Sequence, residues 1–214
     1  PWHGLGTEVD NDLLPYDMQI AAGLDWAVEK QSLVTSEGIV VPKKKALIRS
    51  SDMSVLDVVG DEWQPCQNDT AFQFFNDFCL KGDMEMHTAG SLQGGKIVWV
   101  LAKVKDSFEL FGGDQVDSYL LFSNPHKFGQ SIDVRFTPIR VVCNNTLTLS
   151  LNSSSKNAVK LNHKKAFDAD NVKEMLGIAN VKLDDYKDMA EHLGKKKYKK
   201  DEVLAYLDNL FPTY

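Results

Sequence analysis

"IDVRFTPIRVVCNN", residues 132–145, decides the reading of the fold, because a strand, a break and a possible helix start are compressed into one run. The chain has 214 residues and three arginines; Arg135 and Arg140 lie in this run, and the third is Arg49. "SIDVRFTPIRVV", residues 131–142, reads as one strand that completes an antiparallel sheet. Pro138 has no N–H to give a ladder, so it marks a bulge or bend. Neighbours on a strand point to opposite faces, and Arg135 and Arg140 are an odd number apart. A bulge at Thr137–Pro138 would insert one residue and turn both guanidiniums to one face. Two readings then stand side by side. Either the arginines line a groove and grip an anion with their planar forks, or each pairs with a buried acid such as Asp133 or Asp117. Asn144 and Asn145 are equally double-edged: "CNNTLTLSLN" alternates like a strand, yet the asparagines can cap a helix. A helix packed under the sheet is the expectation.

Working outward, the neighbours of this run read as hairpins. "KKALIRSSDMSVLDVVGDEWQPC" turns at Ser51–Asp52, "MEMHTAGSLQGGKIVWVLAKV" turns at Gly94–Gly95, and a third turn is placed at Gly112–Gly113. "WAVEKQSLVT" alternates as a strand, and "SEGIVVPKKK" reads as a connection. Ile97–Val104 is almost unbroken apolar sequence, as expected of a central strand buried on both faces. Asp17 is placed as the cap of a short helix over Met18–Leu24. Ala71, Phe72, Phe75, Phe78 and Cys79 fall at helical spacing, with Gly82 suited to the C′ position. After Ser153–Ser155 lysine rises and aromatics thin out, and three capped, amphipathic helical patterns follow up to Phe211. The expected architecture is α+β: a curved antiparallel β-sheet with packed helices in a core domain over 1–163, followed by a small helical C-terminal region over 164–214.

Composition excludes several classes. Hydrophobic residues make up 43% and charged residues 25%, ordinary for a globular chain. No apolar run is long enough to span a membrane, and the N-terminus lacks the basic and apolar regions of a signal peptide. Cys66, Cys79 and Cys143 are odd in number and far apart, which argues against a disulfide framework. The five histidines show no metal-ligand spacing, so neither a metal nor a cofactor is expected. The formal net charge is −6. It is the sum of −8 over residues 1–150 and +2 over 151–214, so any nucleic-acid contact must rest on a local basic surface.

The candidate residues for such a surface are Arg49, Arg135 and Arg140, the run Lys43, Lys44 and Lys45, and Asn144 and Asn145 beside the arginine strand. Phe128, with Lys127 before it, stands in the polar loop "SNPHKFGQS" and is the one aromatic placed as an exposed stacking platform. Lysines on β-structure also serve to discourage edge-to-edge association, and aromatics on strands are more often core. "TAGSLQGGK" has Gly90 and Gly95–Lys96 at phosphate-loop spacing. Ile97 replaces the required hydroxyl and a strand follows, so it is a hairpin turn. Ser123 and His126 with Cys143 could support nucleophilic chemistry only if the fold joined them. No catalytic residue is assigned.

The stretches "PWHGLGTEV" (1–9), "AGLDWAVEK" (22–30), "ALIRSSD" (46–52), "VVGDEWQPCQN" (58–68), "TAGSLQGGKIVWVLAKV" (88–104), "YLLFSNPH" (119–126) and "VRFTPIRVVCNNTL" (134–147) occur in order. As a set they resemble the phage/plasmid-like protein family whose main domain is of unknown function, over about residues 1–163. The resemblance implies a mobile-element protein acting in the cytoplasm of a bacterial host, and implies no reaction. The expectation from the residues is a non-enzymatic DNA-metabolism protein. It would bind single-stranded DNA on a basic, partly aromatic groove, assemble as a homo-oligomer and promote annealing, loosely similar to ring-forming annealing proteins. The alternatives are a module that binds a host or phage protein and, third, a small-molecule enzyme built on Ser123, His126 and Cys143.

Overall fold

The computed structural model describes residues 6–8, 13–106, 108, 110, 117–153 and 157–178. Hydrophobic alternation here builds two antiparallel sheets, neither of them closed. The larger has six strands in the order β1 (Gly6–Glu8), β5 (Met84–Leu92), β6 (Ile97–Val104), β7 (Tyr119–Pro125), β8 (Ile132–Thr137) and β9 (Ala158–Leu161). The smaller holds β2 (Val28–Val34), β3 (Val40–Arg49) and β4 (Val55–Gly60). The α+β expectation holds. Some boundaries differ from those read in the sequence. Val40–Lys45, expected as a connection, is the first half of β3. The first helix, α1, spans Pro15–Ala21 and starts at its proline, where a missing N–H costs nothing and the fixed φ suits the first turn. The helix expected over residues 68–81 is two, α2 (Asn68–Gln73) and α3 (Asn76–Lys81). Both rings at the break, Phe74 and Phe75, are buried, edge to face with centroids 5.6 Å apart. Gly82 does end α3, at φ 78°, a left-handed conformation glycine adopts without a Cβ penalty.

Because side chains alternate across a strand, the central strands of the larger sheet feed two cores. Val98, Val100 and Ala102 on β6 and Ile132, Val134 and Phe136 on β8 face the main core, with α2, α3 and the inner face of the small sheet. Trp99 and Leu101 on β6 and Leu121 on β7 face the other way, where Val141 and Leu147 cover them. The expectation that β6 is buried on both faces is therefore met. Burying each of the larger apolar side chains contributes roughly 1.5–3 kcal/mol, so neither face is dispensable. Val172 and Leu176, on and just after α5 (Ala169–Met175), and Ile178 join the main core although they lie beyond residue 163. The helical patterns read over 179–214 lie outside the described residues, as does the turn at Gly112–Gly113.

The second face is where the opening motif does its work. β8 stops at Thr137, and residues 138–143 form a connection with no strand in it. The bulge expected at Thr137–Pro138 is thus a strand end, and Arg140 stands exposed on the connection, not on the sheet. The chain then enters α4 (Asn144–Asn152), whose N-cap is Cys143 and not either asparagine. Thr146 secures this start: its Oγ1 accepts the N–H groups of Val142 and Cys143, both at 3.0 Å. A Thr146→Val replacement keeps the shape and removes the acceptor. It should cost about 1 kcal/mol in a denaturant titration, and an unchanged midpoint would mean the cap is idle.

Candidate nucleic-acid interface

Along β8, polar residues 133, 135 and 137 alternate with the apolar ones that face the main core, so all three turn toward α4. Arg135 is 2% exposed. Its Nε and Nη2 grip Asp133 Oδ1 and Oδ2, each at 2.6 Å. Its Nη1 donates to the carbonyls of Ser150 at 2.9 Å and Ser153 at 3.0 Å. These carbonyls belong to the C-terminal end of α4, where the helix dipole favours a cation. Ser150 Oγ adds a bond to Thr137 Oγ1 at 3.0 Å. The scarce guanidinium is therefore a clamp that holds α4 to the sheet, the acid-paired alternative of the sequence reading. It does not line an anion-binding surface, because four of its donors are spent internally. The shared face expected for Arg135 and Arg140 does not form.

What the clamp leaves beside it is a cleft of about 570 Å³ between α4, the β7–β8 loop and the sheet. Asn144, Thr148 and Asn152 reach it from one stripe of α4, four residues apart, as one helix face requires. Gln93 comes from the β5–β6 turn, Gln130 and Ser131 from the β7–β8 loop, and Lys160 from β9. Ser123 and the clamped Asp133, cross-strand partners, also line it. Lys160 Nζ lies 3.8 Å from Asp133 Oδ2. Asp133 is already neutralised by Arg135, so Lys160 supplies the local excess of positive charge. The other lining groups mentioned are neutral amides and hydroxyls, able both to donate and to accept.

Three sequence candidates lie outside the lining of this cleft but bond to, or sit next in sequence to, the segments that form it. Lys127 Nζ donates to Gln93 Oε1 at 3.2 Å. Phe128 is 69% exposed, and its backbone N–H donates to Asp57 Oδ2 on β4 at 2.7 Å, which fixes the loop against the small sheet. Arg49, at the end of β3, donates from Nη1 to Gly94 O at 3.0 Å, and its guanidinium lies 5.7 Å from the centre of the Trp26 ring. The Asp52 carboxylate pairs with Arg49 through both oxygens, and these hydrogen bonds hold its pKa well below the usual carboxylate range. Close packing at Gly95 keeps the arginine here: a Cβ there would meet Arg49 Nη1 at 2.9 Å.

The other candidates are elsewhere. Lys43, Lys44 and Lys45 sit toward the opposite end of β3 from Arg49, with Lys45 about 13 Å away by strand rise, and Lys45 Nζ bonds Ser32 Oγ at 3.1 Å. β3 is the central strand of the small sheet, so the edge-charge alternative does not fit them either, and they do not join the cleft. Asn144 lines the cleft, while Asn145, next to it, is exposed and outside the lining. The catalytic grouping is not assembled either. Ser123 faces the cleft, whereas His126 is wholly buried on the opposite face with Nε2 2.8 Å from Asn68 Oδ1. Cys143 Sγ contacts Thr146 Oγ1 at 3.4 Å, and this bond draws the thiol pKa down. Among the described residues no cluster of histidine, cysteine or acidic groups is arranged to hold a metal, and no described helix is long and apolar enough to cross a membrane.

Fold and site together define an α+β protein with a helix-roofed polar cleft on the second face of its main sheet. The chain belongs to the family of the domain of unknown function DUF932, whose profile matches residues 55–214 and so takes in the cleft, the clamp and the aromatic loop. No curated protein and no solved structure matches it.

Proposed function

We propose that the protein is a non-enzymatic, phage- or plasmid-encoded DNA-metabolism protein that binds single-stranded DNA in this cleft. In this reading it works as a homo-oligomer in the cytoplasm of the bacterial host and promotes annealing. The observation that carries the reading is an exposed aromatic, Phe128, in the loop whose next residues line an amide-rich cleft that also holds Lys160, with Lys127 bonded to the lining Gln93. An unstacked base would lie on Phe128. The side-chain amides of Gln93, Gln130, Asn144 and Asn152 would meet base edges, and the lysines would meet phosphates. A stacked duplex hides its ring faces and Watson–Crick edges from such a cleft, so unpaired strands are the preferred ligand. Holding bases extended until a complement arrives is annealing without bond chemistry.

Fluorescence polarisation with labelled oligonucleotides tests the reading. Two or three lysine or arginine contacts imply a log–log salt slope of roughly −1 to −2 for a single strand. Phe128→Ala removes the stacking surface at an exposed position without touching the core. It should weaken binding by about 1–3 kcal/mol, roughly 5- to 150-fold, with the melting temperature unchanged. No binding of any oligonucleotide at low salt would end this proposal.

A protein-binding role is the second reading. Val34, Ile39, Val40, Met53, Val55 and Val58 are exposed on the small sheet and its hairpin tips, apolar side chains that a partner surface could cover. Co-purification of a distinct host or phage protein, lost on Val55→Lys, would favour it.

A further inference from the structure

A second cleft, of about 610 Å³, opens where β9 leads through a short loop into α5. β9 is the last strand of the large sheet, and among the described residues no further strand pairs beyond it. Its cross-strand partners alternate between faces. Asp133 and Lys160 are one pair, and both line the first cleft. Ile132 and Leu161 are the next pair, turned to the opposite face, and both line the second. Lys160 lines both clefts, so its long side chain links them around the edge of the sheet.

The loop after β9 is held at both ends. His163 is buried, with its ring stacked on Trp63 at a centroid distance of 4.0 Å. Its carbonyl accepts the Gln64 N–H at 2.6 Å, and its Nδ1 lies 2.9 Å from Gln64 O. Further on, Phe167 packs against Phe122 and Phe74, with centroids 5.1 and 6.1 Å away. Between these anchors Lys164 and Lys165 are both exposed, and both line the second cleft. Asn162 Oδ1 accepts the Lys164 N–H at 3.0 Å and stiffens the turn that carries them. The backbone is therefore ordered before any ligand arrives, which lowers the entropic cost of binding. With Lys160 these residues set three positive charges in the lining against one negative charge, Asp168, whose Oδ1 already accepts the Asn171 N–H at 3.1 Å. Ile132, Leu161 and Met175 add apolar surface. A small inorganic anion would meet the lysines and leave that surface bare. A nucleotide chain meets both, with phosphates for the lysines and base faces for the apolar side chains.

We propose that the second cleft is a further segment of the single-strand path, an inference that rests on the single-strand reading of the first cleft. A strand lying in the first cleft rounds the edge of the sheet at Lys160 and sets its next phosphates on Lys164 and Lys165. A short strand fills one cleft, and a longer strand occupies both.

Fluorescence polarisation on the full chain, with labelled oligothymidylates of about four and about twelve nucleotides, tests this. The longer strand should show a log–log salt slope steeper by about 1.4, from two added lysine contacts at about 0.7 each. Lys164→Gln with Lys165→Gln should return that slope to the value for the short strand. The double replacement should leave short-strand affinity unchanged and, because both side chains are exposed, the melting temperature as well. Phe128→Ala should weaken both lengths. Equal slopes for the two lengths, or a long-strand slope that survives the double replacement, would overturn the second cleft and leave the first in place. No binding of either length would remove the single-strand reading itself, and this extension with it.

Discussion

Arg135→Gln will lower the melting temperature of the protein whether or not a ligand is present. The guanidinium holds Asp133 through two bonds and the end of α4 through two more, all out of water. Glutamine reaches less far and carries no charge, so Asp133 is left as a buried carboxylate whose remaining cationic neighbour, Lys160, is 3.8 Å away and mostly in solvent. Breaking a buried pair from one side costs about 3–5 kcal/mol, and the α4 carbonyls lose their donors as well. Against a total stability on the order of 5–15 kcal/mol, that is a melting shift of about 10 °C or more for a chain of this size. The double replacement Asp133→Asn with Arg135→Gln should recover part of the loss, because no unpaired charge remains. Thermal melting by circular dichroism checks both. If Arg135→Gln melted like the parent yet failed to bind oligonucleotide, the guanidinium would belong to a ligand surface and the clamp assignment would be wrong.

The alternation that carries this clamp is visible in the amino-acid string. Ile132, Val134 and Phe136 set one face of a strand, and Asp133, Arg135 and Thr137 set the other. An acid two residues from an arginine on one face, inside a buried strand, already suggests an internal pair. A bulge at Pro138 within the strand would put both arginines on one face, but Pro138 lies just past the strand end. Pattern alone cannot separate the two, because both satisfy the missing N–H. The hairpins that turn at Ser51–Asp52 and Gly94–Gly95, and β6, were legible, since local periodicity dictates them. The split of α2 from α3 was not, because tertiary packing of Phe74 and Phe75 overrides a continuous helical spacing. The cleft was half legible. Phe128 in a polar loop announced its own exposure, and the polar stripe Asn144, Thr148, Asn152 could have been read once α4 was taken as a helix. Gln93, Gln130 and Lys160 come from three separate segments, and only the sheet order β6-β7-β8-β9 brings them to one place.

Mild acid should destabilise the protein well before its carboxylates titrate. In the unfolded chain His126 takes a proton near its ordinary value of 6.5, whereas burial in the fold pushes its pKa down to about 3. Between those limits the unfolded state binds one more proton than the folded state. Stability from this group is therefore complete above pH 6.5 and falls as pH drops toward 3, by about 1.4 kcal/mol per pH unit. From pH 6.5 to 5.0 the loss is about 2 kcal/mol. His163, whose pKa desolvation also lowers, steepens the fall. Urea titrations at several pH values read this directly as a falling midpoint at constant slope. His126→Gln, an uncharged replacement, should start less stable at pH 7 because a buried contact with Asn68 is lost. It should then lose about one proton's worth less stability per pH unit than the parent. The two histidines share a buried neighbourhood, so a second proton entering after the first meets like charge as well as desolvation. The parent should accordingly unfold with uptake of between one and two protons in this window. An uptake near zero would show that these rings are hydrated in the fold well enough to ionise there, and the neutral, desolvated pair would have to be abandoned.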